Sequence, residues 1–166
     1  MLRVGHGFDV HAFAEGRRLV LAGVEVPCER GLLGHSDADV VAHALMDAVL
    51  GALRAGDIGQ LFPDDDPAYA GADSCRLLSC VAGIVRERGC RILDCDCTVA
   101  AQAPRLSPYR DRMRARLADA MGVNVSRVGL KATTTEHLGF VGRGEGIAAW
   151  AVVLLDDGCA SRREVG

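Results

Sequence analysis

The sequence predicts an α/β chain of the α+β type, with a mixed β-sheet and helices packed on one of its faces. Three observations carry this reading. Strand-like and helix-like periods alternate along the chain, as layered helix-on-sheet architecture requires. The chain opens and closes on strand-like segments. At 166 residues and 49% apolar composition, it is long enough for one hydrophobic core and short for two.

Residues 2–12 alternate loosely around two glycines, and Arg18 to Val26 alternates around Gly23, giving a strand followed by a strand or ribbon. From Asp37 the pattern changes. Asp39 to Leu53 combines an acidic start with good helix formers, a helix ending near Gly56. Within it Asp39, His43 and Asp47 are spaced i, i+4, i+8, a polar stripe on an apolar cylinder that should face a site or a partner. Asp57 to Pro67 reads as a loop from its prolines and aspartates. Ala72 to Arg88 returns to helical spacing, with Leu77, Leu78, Val81 and Ile84 on a face, and Gly89 stops it. Arg91 to Ala101 is strand-like, Pro104 to Met121 an arginine-rich amphipathic helix, Val128 to Thr133 a strand and Gly146 to Leu155 a final apolar strand. Asp156 to Gly166 reads as frayed. With no internal repeat or linker, residues 1–157 form a single domain and 158–166 a flexible tail.

Composition excludes several classes of function. The net charge is −3, from 22 acidic residues against 18 arginines and the single Lys131, so no basic patch points to nucleic acid or to a membrane surface. Ile147 to Leu155 is about half the ~20 residues that span a bilayer, and the charged, glycine-rich start does not resemble a signal peptide. The chain is read as cytoplasmic. Seven cysteines, an odd number in a domain of this size, default to reduced and mostly buried thiols. Cys95 and Cys97 fall on one face of a strand, where a metal pair is conceivable, but thiolate zinc sites usually need a second pair.

Four of the five histidines lie within the first 43 residues. Asp9-Val10-His11 puts a carboxylate and an imidazole on the same strand face, and His43 on the helix can add a third ligand. Asp plus two His leaves one position of a tetrahedral zinc open, as in a catalytic site. By spacing alone, a packed or capped helical histidine is the competing reading for His43. Asp47, one turn on, is a candidate acceptor for its imidazole. In the second cluster, Lys131-Ala132-Thr133-Thr134-Thr135-Glu136, hydroxyls and backbone N–H groups can meet phosphate oxygens and the carboxylate can hold magnesium. Ordinary strand threonines followed by a tight glycine-rich turn account equally well for it. Ala101 to Ser107 either presents amides to a ligand or simply breaks a strand and starts a helix.

Together these segments resemble one family. Gly5-His6-Gly7-Phe8-Asp9-Val10-His11; Gly31 to Val40 with His35, Ser36 and His43; Asp57-Ile58-Gly59 with Phe62-Pro63-Asp64; Ala101 to Pro104; Lys131 to Glu136; and Gly142 to Gly146 are similar, collinearly from about residue 2 to 155, to the 2-C-methyl-D-erythritol 2,4-cyclodiphosphate synthases. The resemblance implies a homotrimer of the non-mevalonate (MEP) isoprenoid pathway with active sites shared between subunits. It implies a CMP-releasing phosphorus-oxygen lyase in which the 2-phosphate of 4-diphosphocytidyl-2-C-methyl-D-erythritol 2-phosphate attacks the β-phosphorus.

Residue by residue, the resemblance implies that Asp9, His11 and His43 hold zinc, and that Glu136 holds magnesium or manganese on the substrate diphosphate. His35 and Thr134 take the catalytic donor role. Ser36, Asp57, Ile58, Gly59, Phe62, Pro63, Asp64, Asp65 and Asp66 receive the methylerythritol phosphate. Ala101, Gln102, Ala103, Pro104, Arg105, Leu106 and Ser107 with Thr133 and Thr135 form the cytidine nucleotide pocket, and Asp9, Val10, His11, His35, Thr134 and Glu136 also contact the substrate. Phe140 and Arg143 line a central trimer cavity that can hold an isoprenoid-like ligand. Two departures, His137 and Arg105 where lysines are expected, would rearrange phosphate contacts. Competing readings are a non-catalytic nucleotide- or isoprenoid-binding trimer and a zinc hydrolase of a phosphate ester.

Overall fold

The computed structural model describes residues 1–63 and 65–158. Its strands are β1 (Leu2–Ala14), β2 (Leu19–Leu21), β3 (Val24–Val26), β4 (Gly31–Leu32), β5 (Arg91–Ala100), β6 (Val128–Thr133) and β7 (Gly146–Asp156). The helices are α1 (Val40–Leu53), α2 (Ile58–Leu61), α3 (Ser74–Glu87), α4 (Arg110–Met121) and α5 (Gly139–Gly142). Five strands form one mixed sheet in the order β4-β1-β7-β5-β6, and β2 and β3 pair as a separate hairpin. β1 and β7 run antiparallel over eleven residue pairs, from Leu2 opposite Asp156 to Ala12 opposite Gly146. Only β5 and β6 are parallel, and the chain crosses between them through α4, as a parallel pair demands.

α1, α3 and α4 cover one face, with α1 against β1 and β7 at its centre, and the short α5 packs on the other through Val141. Two glycines allow that close approach. A Cβ on Gly5 would sit 1.8 Å from the Ala48 carbonyl oxygen, and one on Gly7 1.9 Å from that of Ala44. Because His43 precedes Ala44, this contact also fixes where His43 meets β1. The strand pleat then sorts the residues of β1: the odd positions Gly5, Gly7, Asp9 and His11 face α1, and the even positions Val4, Phe8 and Val10 face away and are exposed.

Several expectations need correction. The polar stripe does not act as a unit, because α1 is buried nearly all round. Asp39 is its N-cap, wholly buried, and accepts backbone N–H groups of Ala22, Gly23, Val41 and Ala42 at 2.6–3.1 Å. It staples the β2–β3 turn to the helix, and burial reinforced by the charge of Asp37 raises its pKa to about 6 against those hydrogen bonds. The 57–67 loop contains a helical turn, α2, capped by Asp57, and leads into a 3-10 turn, Pro67–Tyr69, capped by Asp66. Its aspartates are caps as well as loop formers. The helix expected from Pro104 begins at Arg110, after a 3-10 turn at Ser107–Tyr109. Asp156 ends β7, and Asp157 binds the N-terminal ammonium and Arg3, so order extends past the expected fraying point. Residues 159–166, most of the expected tail, lie outside the described residues.

Cys95 and Cys97 do share a strand face, but it is the core face. Both are buried free thiols, and burial pushes Cys95 up to about 12 and Cys97 well above its ordinary range. Neither belongs to a group of metal-ligating side chains among the described residues.

Candidate metal centre and nucleotide pocket

At the C-terminal end of β1, Asp9 and His11 stand two residues apart on the face that meets α1, and His43 reaches them from the first turn of the helix. Three donor atoms form a triangle: Asp9 Oδ2 to His11 Nε2 is 3.0 Å, Asp9 Oδ2 to His43 Nδ1 3.1 Å and His11 Nε2 to His43 Nδ1 3.2 Å. Ligands ~2.0–2.1 Å from a tetrahedral ion are about 3.3 Å apart, so the spacing suits a small divalent cation. The donor chemistry agrees. His11 Nδ1 lies 2.6 Å from the Leu33 carbonyl oxygen, which can only accept, so in the neutral ring Nε2 is left with its lone pair turned to the triangle. Burial tends to raise the pKa of the Asp9 carboxyl, but the His11 and His43 rings beside it outweigh that and hold the group well below the usual carboxylate range. Burial would depress His11, yet the Asp9 carboxylate raises it above its ordinary value. Together the three residues form a group able to hold a metal ion.

The triangle lies in a cavity of about 200 Å³. Of the residues singled out from sequence, Asp9, His11, His35, Ser36, His43, Ile58, Gly59 and Phe62 line it. Met46, Tyr69 and Leu77 also do, without having been anticipated; Tyr69 packs edge-on against Phe62, with ring centroids 5.3 Å apart. His35 is exposed, and its Nε2 is 3.2 Å from the Asp66 carbonyl oxygen. Several other residues are placed differently. The side chain of Val10 points to the opposite sheet face, so only its backbone is near the triangle. Asp57 accepts from Gln60, at the start of α2. Pro63, Asp65 and Asp66 do not line the cavity, and Asp64 lies outside the described residues. Asp47 accepts from the Ile58 N–H at 2.9 Å, not from His43. The outer nitrogen of His43, Nε2, instead faces the hydroxyls of Ser74 at 3.0 Å and Ser36 at 3.2 Å. Ser74 was not singled out in the sequence, where it looks like one more helix-start serine.

A second cavity, of about 530 Å³, lies between the segment after β5 and the end of β6. All of Ala101 to Ser107 line it, with Thr133 and Thr134; Arg110, Leu130, Lys131 and Ala132 are additions. The Ala103–Pro104 peptide is cis. Thr135 and Glu136 stand outside the lining. The Thr135 hydroxyl donates to the Leu138 carbonyl, the Thr134 hydroxyl donates to Glu136, and Glu136 and His137 take left-handed backbone angles, with φ of 51° and 63°. The His137 N–H donates to Gln102, joining the two halves of the pocket. Glu136 belongs to no group of three ligating side chains among the described residues.

The two cavities share no lining residue. Val10, Ala148, Ala100 and Thr133 form one row across the sheet, so both sites sit at the same sheet end. Three strand spacings of ~4.8 Å separate β1 from β6, about 14 Å. Phe140 is exposed on α5, and Arg143 is engaged with Glu145 at 2.6 Å. On the sheet face away from α1, Val141 of α5 covers Ala100 and Ala148, and Val4, Phe8, Val10, Trp150 and Val152 are exposed. The Phe8 and Trp150 rings pack 5.2 Å apart there.

Known proteins resemble this chain over nearly its whole length. The 2-C-methyl-D-erythritol 2,4-cyclodiphosphate synthase of Geobacter metallireducens is 56% identical over 155 residues, covering 93% of this chain and 99% of its own. A structure of a synthase of that name in a CDP-bound form superposes with a TM-score of 0.85 at 40% identity, over 93% of this chain and all of the other. The bifunctional IspDF of Campylobacter jejuni superposes with a TM-score of 0.90 at 45% identity, over 93% of this chain and 42% of the longer one. The YgbB family model matches residues 2–156. With a family model spanning nearly the whole sequence and identity above one half to a relative covered end to end, the chain belongs to the YgbB family.

Proposed function

We propose that this chain converts 4-diphosphocytidyl-2-C-methyl-D-erythritol 2-phosphate into 2-C-methyl-D-erythritol 2,4-cyclodiphosphate and CMP, as a cytoplasmic phosphorus-oxygen lyase of non-mevalonate isoprenoid precursor synthesis. The observation that carries the reading is the Asp9–His11–His43 triangle, set at one sheet end beside a nucleotide-sized cradle. Relatives carrying the synthase name along their full length support it, as does a CDP complex of the related Plasmodium falciparum protein.

The chemistry asks little of a base. A phosphate monoester has its second pKa near ~6 and is already a nucleophile at neutral pH. An oxygen of the 2-phosphate forms the new bond to the β-phosphorus, the bond to the bridging oxygen breaks, and CMP leaves with that electron pair. Alignment and charge neutralisation are what the site must supply. Asp9, His11 and His43 would hold a divalent ion, zinc in this reading, that binds and neutralises phosphate oxygens. Glu136 would hold magnesium or manganese on the diphosphate. His35 releases its contact with the Asp66 carbonyl and donates to a phosphate oxygen. Thr134 does the same from the other side, exchanging Glu136 for the substrate. The cradle from Ala101 to Ser107 receives the cytidine, and Ser36, Ile58, Gly59 and Phe62 enclose the methylerythritol phosphate.

In one chain the two halves lie about 14 Å apart across the sheet, with separate linings. We therefore read the working unit as a homotrimer in which the cradle of one subunit faces the metal centre of its neighbour. The uncovered apolar face around Phe8 and Trp150 supports this, since a contiguous exposed apolar patch marks an association surface. Phe140 and Arg143 would line the central cavity of that trimer, where an isoprenoid-like ligand fits. Residues 1–157 would form the single domain of each subunit.

Product analysis tests the reading. The expected products are cyclodiphosphate and CMP, and His43→Ala should bind no zinc and release almost no CMP while remaining folded. Linear phosphate release would indicate a hydrolase, and full turnover in metal-free buffer would overturn the metal-assisted mechanism.

A further inference from the structure

We propose that Ser74, backed by Asp37, is a positioning residue that fixes the tautomer of His43 and so turns the Nδ1 lone pair of that histidine toward the cation. The proposal rests on Asp9, His11 and His43 being a metal site. Proton counting around one buried hydroxyl carries it. The Ser74 Oγ lies 2.5 Å from Asp37 Oδ1 and 3.0 Å from His43 Nε2. A carboxylate only accepts, so the one hydroxyl proton of Ser74 goes to Asp37 and the oxygen has only lone pairs left for His43. Toward Ser74, His43 Nε2 can therefore act only as an N–H donor. In a neutral imidazole the other nitrogen is then bare, and that nitrogen is Nδ1, at the corner of the triangle.

The acceptor end of this chain is itself anchored. Asp37 Oδ2 accepts the Ser74 N–H at 3.1 Å, and Oδ1 accepts the Asp39 N–H at 3.2 Å. Asp37 thus ties the start of α3 to the start of α1, which carries His43. The Ser36 hydroxyl accepts the Ala38 N–H at 3.1 Å and can place its own proton on the Ser74 oxygen, 3.5 Å away, which leaves it a second acceptor 3.2 Å from His43 Nε2.

The Ser74 hydroxyl has no capping task. Asp73 is the N-cap of α3, accepting the Cys75 N–H at 2.8 Å, so Ser74 is already inside the helix. Its side chain is fully buried, and a buried hydroxyl costs free energy unless it is hydrogen-bonded. His11 reaches the same outcome by a simpler route, through the Leu33 carbonyl. Both rings can thus turn a bare nitrogen to the cation position beside Asp9, and a group acting behind a metal-binding histidine typically changes metal affinity by ~10–100-fold.

The test compares the intact protein with Ser74→Ala, Ser74→Thr and His43→Ala, each stripped of metal and titrated with zinc against a competing chelator. Nitrogen NMR of labelled histidine reports the tautomer of His43 in the metal-free state. Ser74→Ala is expected to weaken zinc binding about tenfold or more and to convert His43 from the Nε2–H form to a tautomer mixture, with Ser74→Thr restoring both. Unchanged affinity in Ser74→Ala overturns the proposal. So does weakened affinity with the Nε2–H tautomer intact, since packing alone would then be responsible. If His43→Ala binds zinc as tightly as the unaltered protein, the metal-site reading itself fails, and that result is distinct from any obtained at Ser74.

Discussion

The metal triangle and the nucleotide cradle lie at the same end of one sheet and are built in opposite ways. Asp9, His11 and His43 stand on a long strand and a buried helix locked together at Gly5 and Gly7, with their three donor atoms 3.0–3.2 Å from one another. The cradle is a connection after β5 and a turn after β6, with Thr133, Thr134 and Glu136 all exposed. Its hydroxyls donate to nearby carbonyls and to the Glu136 carboxylate. A cation site gains from rigidity, because three lone pairs must converge before the ion arrives. A nucleotide site on loops can be completed by its ligand and by a neighbouring subunit.

That contrast can be broken at three points. The largest effect is expected at the cradle: Thr134→Ala should lower kcat about a hundredfold, the cost of one well-aimed transition-state donor, with zinc content unchanged by elemental analysis. If zinc is lost as well, the two halves are coupled within a subunit and the contrast fails. A smaller effect is expected on the uncovered face. Trp150→Asp should shift the assembly toward monomers in sedimentation, because a carboxylate would replace an aromatic ring in an apolar contact. CDP affinity should then fall at least about tenfold, or ~1.4 kcal/mol, while the monomer still takes up zinc. Retained assembly would remove the support for shared sites.

The smallest and sharpest effect concerns the thiols. Cys75 lies behind the metal centre, beside Ser74, and Cys95 and Cys97 lie on the core face of the strand that leads to the cradle. Burial pushes Cys75 and Cys95 from 9.0 up to about 12. These are raised folded-state values, so the stability contributed by neutral thiols is complete below about pH 9 and is lost as pH rises toward 12. At pH 8 the exposed Cys28 and Cys80 should alkylate, while Cys75, Cys95 and Cys97 stay protected, as read by mass mapping. Equal protection of Cys75 and Cys97 would confine the difference between the halves to the loops. Faster reaction at Cys97 would extend it into the sheet.

Some of this was legible in residue order. Asp9 and His11 at i, i+2 on a strand must share a face, and the period of α1 and the strand runs at 128–133 and 146–155 are local properties, so the element order and a three-ligand site followed from spacing and resemblance. The polar stripe misled because a helical period gives direction and not surroundings: Asp39 faces the β2–β3 turn, His43 faces β1, and Asp47 faces the start of α2. The aspartates of the 57–67 segment misled for a related reason, since the residues that favour loops also cap short helices.

The sequence by itself determined which residues can ligate, donate or cradle, and the strands and helices that carry most of them, because those follow from side-chain chemistry and from periods of two and 3.6 residues. Tertiary structure decided which of them meet. It placed Ser74, thirty-one positions from His43 in sequence, behind that histidine, and set the Ala101–Ser107 cradle at the end of β5, two strand spacings from β1 and its triangle. It also left the Phe8–Trp150 face uncovered. These are contacts between residues distant in sequence, fixed by strand order and by the close approach of α1 to two glycines, and no local period encodes either.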